Sequence, residues 1–287
     1  MSVKLILKKF IPSDFRVRLK KIIRRSKNNF LKSKVSKTTL SELRRLLLRD
    51  FGITKGDNLI ITSSFGNLNA DFSPRALVEL LKEIVGRDGN LVMPFYPPGN
   101  SYEWAGKGEV FDMQATRSSM GVLTQVFSEL DDVYKSMHPT KAVVAWGKDA
   151  KQIVFGHEDS GTPFSKSTPY GWLMQNGSKS LGLGIKSNPM FHYCEDALLP
   201  RSEWLYFDRK FKLKVRNYQG DIIFVETFVH DPQKMEKLLP IGDYINRISP
   251  GSYSRVSIGF KYCYIIDNSD LFETCANQFK KSNFRTK

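Results

Sequence analysis

Four histidines occur in the 287 residues, and two of them, His138 and His192, border a stretch rich in Thr, Ser, Pro and Gly that closes on Glu195. His192 stands three residues before that carboxylate. On a helix such positions share a face, so Glu195 can accept a hydrogen bond from one ring nitrogen. The other nitrogen is then free to take a proton from a substrate amine or hydroxyl. A His–Glu pair on the wet side of an amphipathic helix has the same spacing, and there it adds only about 0.2–0.5 kcal/mol of helix stability. The lead-in separates the two readings. Leu181-Gly182-Leu183-Gly184-Ile185 reads as a buried strand that admits close backbone approach. Lys186-Ser187-Asn188-Pro189 then turns the chain, and strand ends are where layered α/β proteins keep their sites. His192 is thus read as a base and Glu195 as its orienting partner.

A second constellation suits an anion. Arg117-Ser118-Ser119-Met120-Gly121 precedes an amphipathic run over 120–130, which places hydroxyls and backbone N–H groups at a helix N-terminus. A diphosphate would be attracted there, although an ordinary Ser cap is the plainer explanation. Thr62-Ser63-Ser64, at the exit of a strand, either caps a helix or lines the same site. Residues 97–108 are rich in Gly and Pro without periodicity and read as a long loop, a feature uncommon unless functional. Tyr102 and Trp104 give that loop stacking surfaces for a base or sugar. His157, in Gly156-His157-Glu158, reads as structural, and His230, before Asp231-Pro232, as a turn residue. There is no GxSxG elbow, Walker loop, HExxH or GxGxxG after a first strand, which removes the commonest hydrolase, NTPase, zincin and dinucleotide readings. Cys194, Cys263 and Cys275 are odd in number and lack CxxC spacing, so neither a disulfide framework nor a metal site is expected, and a reducing cytoplasm suits them.

The elements that must position these residues alternate. A helix over 39–51 is capped by Thr39 or Ser41, and 59–64 reads as a buried strand. Pro74 opens a helix to Val85, Asp88-Gly89 turns the chain, and 90–94 is a second strand. Strands over 141–146 and 178–185 and a helix over 192–199 continue the pattern. Residues 210–216 and 222–228 alternate with period two around Asn217-Tyr218-Gln219-Gly220-Asp221, a hairpin signal. A helix from Asp231-Pro232 toward Ile248 and a strand over 255–266 follow. The expected fold is a three-layer α/β/α body with a mixed central sheet plus a small antiparallel β-hairpin region.

The net charge of +15 is unevenly placed. Residues 1–34 hold twelve Lys or Arg against Asp14, for +11, and the other 253 residues carry +4. Leu5, Ile6, Leu7, Phe10, Ile11, Phe15, Leu19, Ile22, Ile23 and Phe30 interleave with the cations, as an amphipathic helix lying on an anionic membrane surface requires. A solvated helix or a basic tail fits the same residues. No RNA-binding aromatic motif or helix-turn-helix accompanies the charge, so nucleic acid is not an expected partner. No run reaches the roughly 20 apolar residues of a membrane span. The expected division is a basic amphipathic extension over 1–38 and a catalytic domain over 39–287.

Leu91-Val92-Met93-Pro94, Ser119-Met120-Gly121, His138-Pro139-Thr140, Thr162-Pro163-Phe164, Ser167-Thr168-Pro169-Tyr170, Leu181-Gly182-Leu183-Gly184 and His192 with Glu195 together resemble the aminoglycoside 3-N-acetyltransferase family over roughly residues 40–280. The resemblance implies that an acyl-coenzyme A thioester donates to a primary amine in a ternary complex, without a metal. It makes His192 the base and Glu195 its support. Thr62, Ser63, Arg117, Ser118, Ser119 and Gly121 would lie along the pantetheine and pyrophosphate, with His138 and Thr140 near the acyl end. One departure bears on the acceptor. Antibiotic-modifying members usually read His-Pro-Thr-His where this chain has His138-Pro139-Thr140-Lys141, and often have His where Thr62 stands. A lysine there disfavours a polycationic drug by roughly 1 kcal/mol per wet pair. The sequence therefore favours a nucleotide-linked deoxyamino sugar for surface polysaccharide as acceptor, with aminoglycoside acetylation as the alternative. A scaffold that has lost its chemistry and is recruited to the inner membrane by residues 1–34 is a third reading.

Overall fold

The computed structural model describes residues 35–280 and Arg285. The chain divides into two compact units, Met1–Lys37 and Thr38–Lys287. The basic leader read over 1–34 lies outside the described residues, and the architecture below is that of the second unit.

Among the described residues of that unit, ten strands form two sheets. The larger has the order β4-β5-β2-β1-β6-β10-β9, with β1 (Asn58–Ser63), β2 (Asn90–Phe95), β4 (Tyr134–Lys135), β5 (Ala142–Gly147), β6 (Lys179–Leu183), β9 (Ser254–Ile258) and β10 (Lys261–Asp267). The central β2, β1 and β6 run parallel, while β5 and β10 flank them antiparallel. The smaller sheet, β3-β7-β8, pairs the hairpin β7 (Tyr206–Arg216) and β8 (Ile222–His230) with a short parallel β3 (Val110–Asp112).

Period-two side-chain alternation explains the layering. Leu59 and Ile61, Leu91 and Met93, and Val144 and Trp146 face one core with α1 (Leu40–Arg45), α2 (Pro74–Val85) and α4 (Val122–Ser128). Ile60, Val92, Val143, Ala145, Tyr264 and Ile266 face a second core. That core holds α5 (Ala150–Val154), α6 (Pro169–Gln175), α7 (Met190–Leu198), α9 (Ile241–Ile248) and α10 (Asn268–Phe279). The expected three layers and mixed sheet are present. In α2, Pro74 starts the helix, the Ser73 hydroxyl accepts from Ala76 N, and Leu77, Val78, Leu80, Leu81, Ile84 and Val85 are buried. Each such side chain is worth about 1.5–3 kcal/mol relative to exposure.

Several elements differ from the expectation. Residues 97–108 are not all loop: α3 (Ser101–Lys107) forms there under an Asn100–Glu103 capping box. Its seven residues bury only Trp104, so no periodicity could appear, and Trp104 is core rather than a stacking surface. The helix expected from Asp231 to Ile248 is two, α8 (Pro232–Glu236) and α9, broken before Pro240. The strand over 255–266 is the hairpin β9–β10, turned at Gly259, where an added Cβ would meet Asn67 O at 2.4 Å. The first helix continues past Arg45 as a π-helical turn over Leu46–Asp50.

Two glycines shape the approach to His192. An added Cβ on Gly182 would lie 1.9 Å from the Tyr264 ring, so only glycine admits that ring over β6. The Tyr264 hydroxyl then donates to Ser187 O at 2.6 Å and holds the turn before α7. Gly184 begins that turn at φ +67°.

Candidate active site

Two cavities open beyond the carboxyl ends of the parallel strands, where an α/β sheet offers a crevice. One, of about 340 Å³, is lined by Tyr96, Tyr102, Thr140, Lys141, His192 and His230 among others. The other, of about 440 Å³, is lined by Thr62, Ser63, Ser119 and Gly121 with neighbours on the same strand exits. Pro94 faces the larger and Tyr96 the smaller, so the exit of β2 serves both.

His192 lies on α7, whose first N–H is held by Asn188 Oδ1 at 2.9 Å. Its Nδ1 is 2.6 Å from Glu195 Oε2, and the two side chains are 14% and 2% exposed. This pair is not on a wet helix face. With the carboxylate accepting, Nδ1 carries the proton, which leaves the lone pair on Nε2, and the His192 side chain lines the smaller cavity. Burial, with Lys141 and Arg285 as nearby cations, holds the imidazole well below its ordinary pKa. The ring is neutral at pH 7. Burial raises the Glu195 carboxyl to about 7 against the pull of Arg285.

Arg285 contacts the other oxygen, Oε1, through Nη1. Its Nε donates to Leu239 O at 2.9 Å, while Leu239 N donates to Arg285 O at 2.8 Å. No signal in the sequence connected residue 285 to residue 195.

Aromatic rings frame the base. Phe164 lies 5.0 Å and His230 4.9 Å from the His192 ring. His230 stacks on Tyr206 at 4.4 Å, and the Tyr206 hydroxyl reaches both Asp196 oxygens at 2.9 Å. Thr162 also bonds Asp196, whose carboxyl burial pushes up to about 7. Tyr170 OH meets Tyr96 OH at 3.0 Å. The motifs Thr162-Pro163-Phe164 and Thr168-Pro169-Tyr170 are therefore the walls and props of the base. His230, read from sequence as a turn residue, ends β8 and lines the cavity.

The remaining site residues separate. Thr62, Ser63, Ser119 and Gly121 line the larger cavity, and Thr140 lines the smaller. Thr62 Oγ1 donates to Ser187 O at 2.9 Å, and Ser119 N donates to Tyr96 O at 2.8 Å. Ser63 Oγ is buried without a hydrogen-bond partner. A hydroxyl so placed suits a ligand group that completes it. Arg117, Ser118 and His138 line neither cavity. Arg117 is exposed, and the Ser118 hydroxyl accepts from Met120 N at 3.1 Å within a turn.

His138 is fully buried. Its Nδ1 accepts from Thr140 N and Lys141 N at 3.3 and 3.0 Å, so Nε2 carries the proton shared with Thr227 Oγ1 at 3.1 Å. Instead of reaching the acyl end, His138 locks the turn that presents Thr140 and Lys141. His157 is structural, though its partners are Ser136 and the Pro163 carbonyl rather than Glu158.

Lys141 Nζ sits over the Tyr96 ring at 4.3 Å, and burial lowers its pKa to about 8. No Asp or Glu is among the described residues lining the smaller cavity. Among the described residues no cluster of three His, Cys, Asp or Glu side chains could hold a metal, and no helix is long and apolar enough to cross a membrane.

The family model for aminoglycoside 3-N-acetyltransferase matches residues 60–280, a span holding both cavities and the His192–Glu195 pair. The chain belongs to the aminoglycoside 3-N-acetyltransferase family. It is thus an N-acyltransferase with acyl-coenzyme A as co-substrate. It is 22% identical over 249 residues to aminoglycoside N(3)-acetyltransferase III of Acinetobacter baumannii, covering 78% of this chain and 85% of that one. It is 30% identical over 154 residues to aminoglycoside N(3)-acetyltransferase IV of a Salmonella species, covering 52% and 55%. The fold is that of AAC-IIIb in its binary structure with CoASH, at a TM-score of 0.69 and 18% identity over 86% of this chain and 97% of that one.

Proposed function

We propose that this enzyme acetylates a primary amine of an aminoglycoside-type amino sugar, with acetyl-coenzyme A along the larger cavity and the acceptor in the smaller. The observation that carries the reading is the buried Glu195–His192 pair, in which His192 lines the smaller cavity and holds its proton on Nδ1, leaving Nε2 as the proton-accepting nitrogen. The acceptor nitrogen must present a lone pair to the thioester carbonyl, and an aliphatic ammonium, with a pKa of about 10, has none. The neutral amine, left once the ammonium proton has gone to solvent, attacks the carbonyl; as the C–N bond forms the nitrogen becomes acidic, Nε2 takes this second proton, the C–S bond breaks and the thiolate leaves. Glu195 holds the ring and stabilises the imidazolium. In the larger cavity the unpartnered Ser63 hydroxyl and the φ +100° of Gly121 leave polar, open backbone for the donor. The cytoplasm, which supplies acetyl-CoA, is the compartment in which the reaction is proposed to run.

The curated relatives named above are aminoglycoside acetyltransferases, so the earlier preference for a nucleotide-linked sugar gives way to the alternative. One observation still favours an acceptor bearing an anionic group: the smaller cavity holds Lys141 and, among its described lining residues, no carboxylate. Thiol release from acetyl-CoA, measured with kanamycin-type amines beside nucleotide-linked amino sugars, tests both readings. Turnover of the aminoglycosides supports the first. Turnover of the nucleotide sugars alone replaces it with the second, and no release with any amine refutes both.

A further inference from the structure

We propose that Arg285 is a positioning residue for catalysis, fixing the Glu195–His192 pair from beyond α10. The inference deepens the acyl-transfer reading and rests on it, because a base is what the pair must be. Glu195 has two oxygens and both are taken: Oε2 by His192 Nδ1 and Oε1 by Arg285 Nη1. The carboxylate therefore cannot rotate away from the ring without giving up a charge-assisted hydrogen bond. Arg285 is itself held, since its Nε donates to Leu239 O, its carbonyl accepts from Leu239 N, and its guanidinium lies 5.4 Å from the centre of the Phe191 ring. Leu239 closes the link between α8 and α9, and Pro232 and Met235 of α8 line the acceptor cavity. One guanidinium thus ties the support of the base to the segment that forms part of the cavity wall.

Arg285 holds both members of the pair down, the Glu195 carboxyl by direct contact and the His192 imidazole as a nearby cation, so without its charge the pair takes up a proton more readily. A pair that already holds that proton cannot accept the one an attacking amine releases. Among the described residues, the other titratable groups around the pair are Asp196 and Cys194 on α7, Lys141 before β5, Tyr206 on β7, His230 on β8, Tyr244 on α9 and Cys275 on α10. Of these only Lys141 is a cation at neutral pH, and no hydrogen bond joins it to Glu195. Removing the guanidinium charge makes protonation of the coupled pair easier, so its acid-side titration moves to higher pH.

The test uses the full chain as Arg285→Gln and Arg285→Lys, with His192→Asn to assign the His192 ring signal in an NMR titration that needs no acceptor. The His192 midpoint is expected to rise by about 1 unit or more in Arg285→Gln and to stay near wild type in Arg285→Lys. In the thiol-release assay, the acid limb of kcat/KM should shift in the same direction, with kcat down at least about 10-fold at pH 7 and the KM for acetyl-CoA little changed. An unmoved midpoint in folded Arg285→Gln overturns the proposal, and so does a uniform loss of activity without a shift of the acid limb. Should Arg285→Gln fail to fold, Arg285→Met takes its place: a raised midpoint sustains the proposal and an unmoved one overturns it. If the wild type turns over no amine, the acyl-transfer reading falls while the NMR result still reports on Arg285.

Discussion

Tyr206 lies flat against His230, ring centroids 4.4 Å apart and planes 4° from parallel, while its hydroxyl spans both oxygens of Asp196. A residue of the small sheet thereby supports one wall of the smaller cavity and satisfies a half-buried carboxyl of α7. Tyr206→Phe keeps the stack and removes the hydrogen bonds, leaving Asp196 short of a donor. Urea denaturation should show a loss of about 1–3 kcal/mol, with kcat changed only a few-fold. A loss of activity that outruns the loss of stability would mean that the hydroxyl acts in the chemistry.

His192→Asn and Glu195→Gln test the base and its support. Loss of the base should lower kcat by roughly 10²–10⁴-fold, with the Kd for acetyl-CoA near wild type by calorimetry. Glu195→Gln should fall short of that loss, because the ring remains though its protonated form loses its countercharge. Unimpaired turnover in His192→Asn would remove the mechanism.

Elements with strong local signals were legible in the sequence, and the assembly of the site was not. Pro74 with its apolar face gave α2 to its ends, and the glycines of 181–185 marked the strand over which Tyr264 lies. The i,i+3 spacing paired His192 with Glu195 because both sit on one short helix. His230 and Arg285 were missed for the opposite reason. They reach the site through β7–β8 pairing and through a contact spanning 90 residues, and neither leaves a periodicity to read. His138, which the resemblance put near the acyl end, is fully buried and holds backbone N–H groups, a role its Ser/Thr-rich setting did not disclose.

Lys141 should set acceptor charge preference. Lys141→Met removes a cation from a cavity without carboxylates among its described lining residues, so the KM for a polycationic amine should fall about 5–10-fold. Because burial lowers the Lys141 pKa to about 8, the wild-type handicap should also fade as pH rises through 8. Steady-state kinetics of both proteins at pH 7 and 9 check this. An unchanged KM in the variant would show that the lysine faces no part of the acceptor.

Ser63→Ala separates stability from donor binding. The free protein loses a buried hydroxyl that has no partner, so its Tm should hold or rise slightly. Acetyl-CoA should bind about 5-fold more weakly if that hydroxyl serves the donor. Calorimetry reads the second effect and a thermal melt the first. Equal affinity in both proteins would take Ser63 out of the donor site.

His157 should give the protein an acid-side weakness. Burial pushes its pKa down to about 3, against about 6.5 in the unfolded chain, so below pH 6.5 the unfolded state binds the extra proton. The stabilisation is whole above pH 6.5 and is lost at roughly 1.4 kcal/mol per unit as pH falls toward 3. Urea midpoints between pH 7 and 4.5 measure the slope. His157→Gln, which can keep hydrogen bonds without titrating, should flatten it, and a slope unchanged in that variant would assign the weakness to other groups.

The contacts that hold the base and its surroundings join partners far apart along the chain: 77 residues for Tyr264 and Ser187, 89 for His138 and Thr227, 125 for Thr62 and Ser187. Such closures come late, because loop entropy must be overcome before they hold. A nascent polypeptide emerging from the ribosome would thus display α7 long before it could turn over an amine, and proteolytic nicking between α7 and β10 would silence the enzyme while leaving His192 and Glu195 on one intact helix.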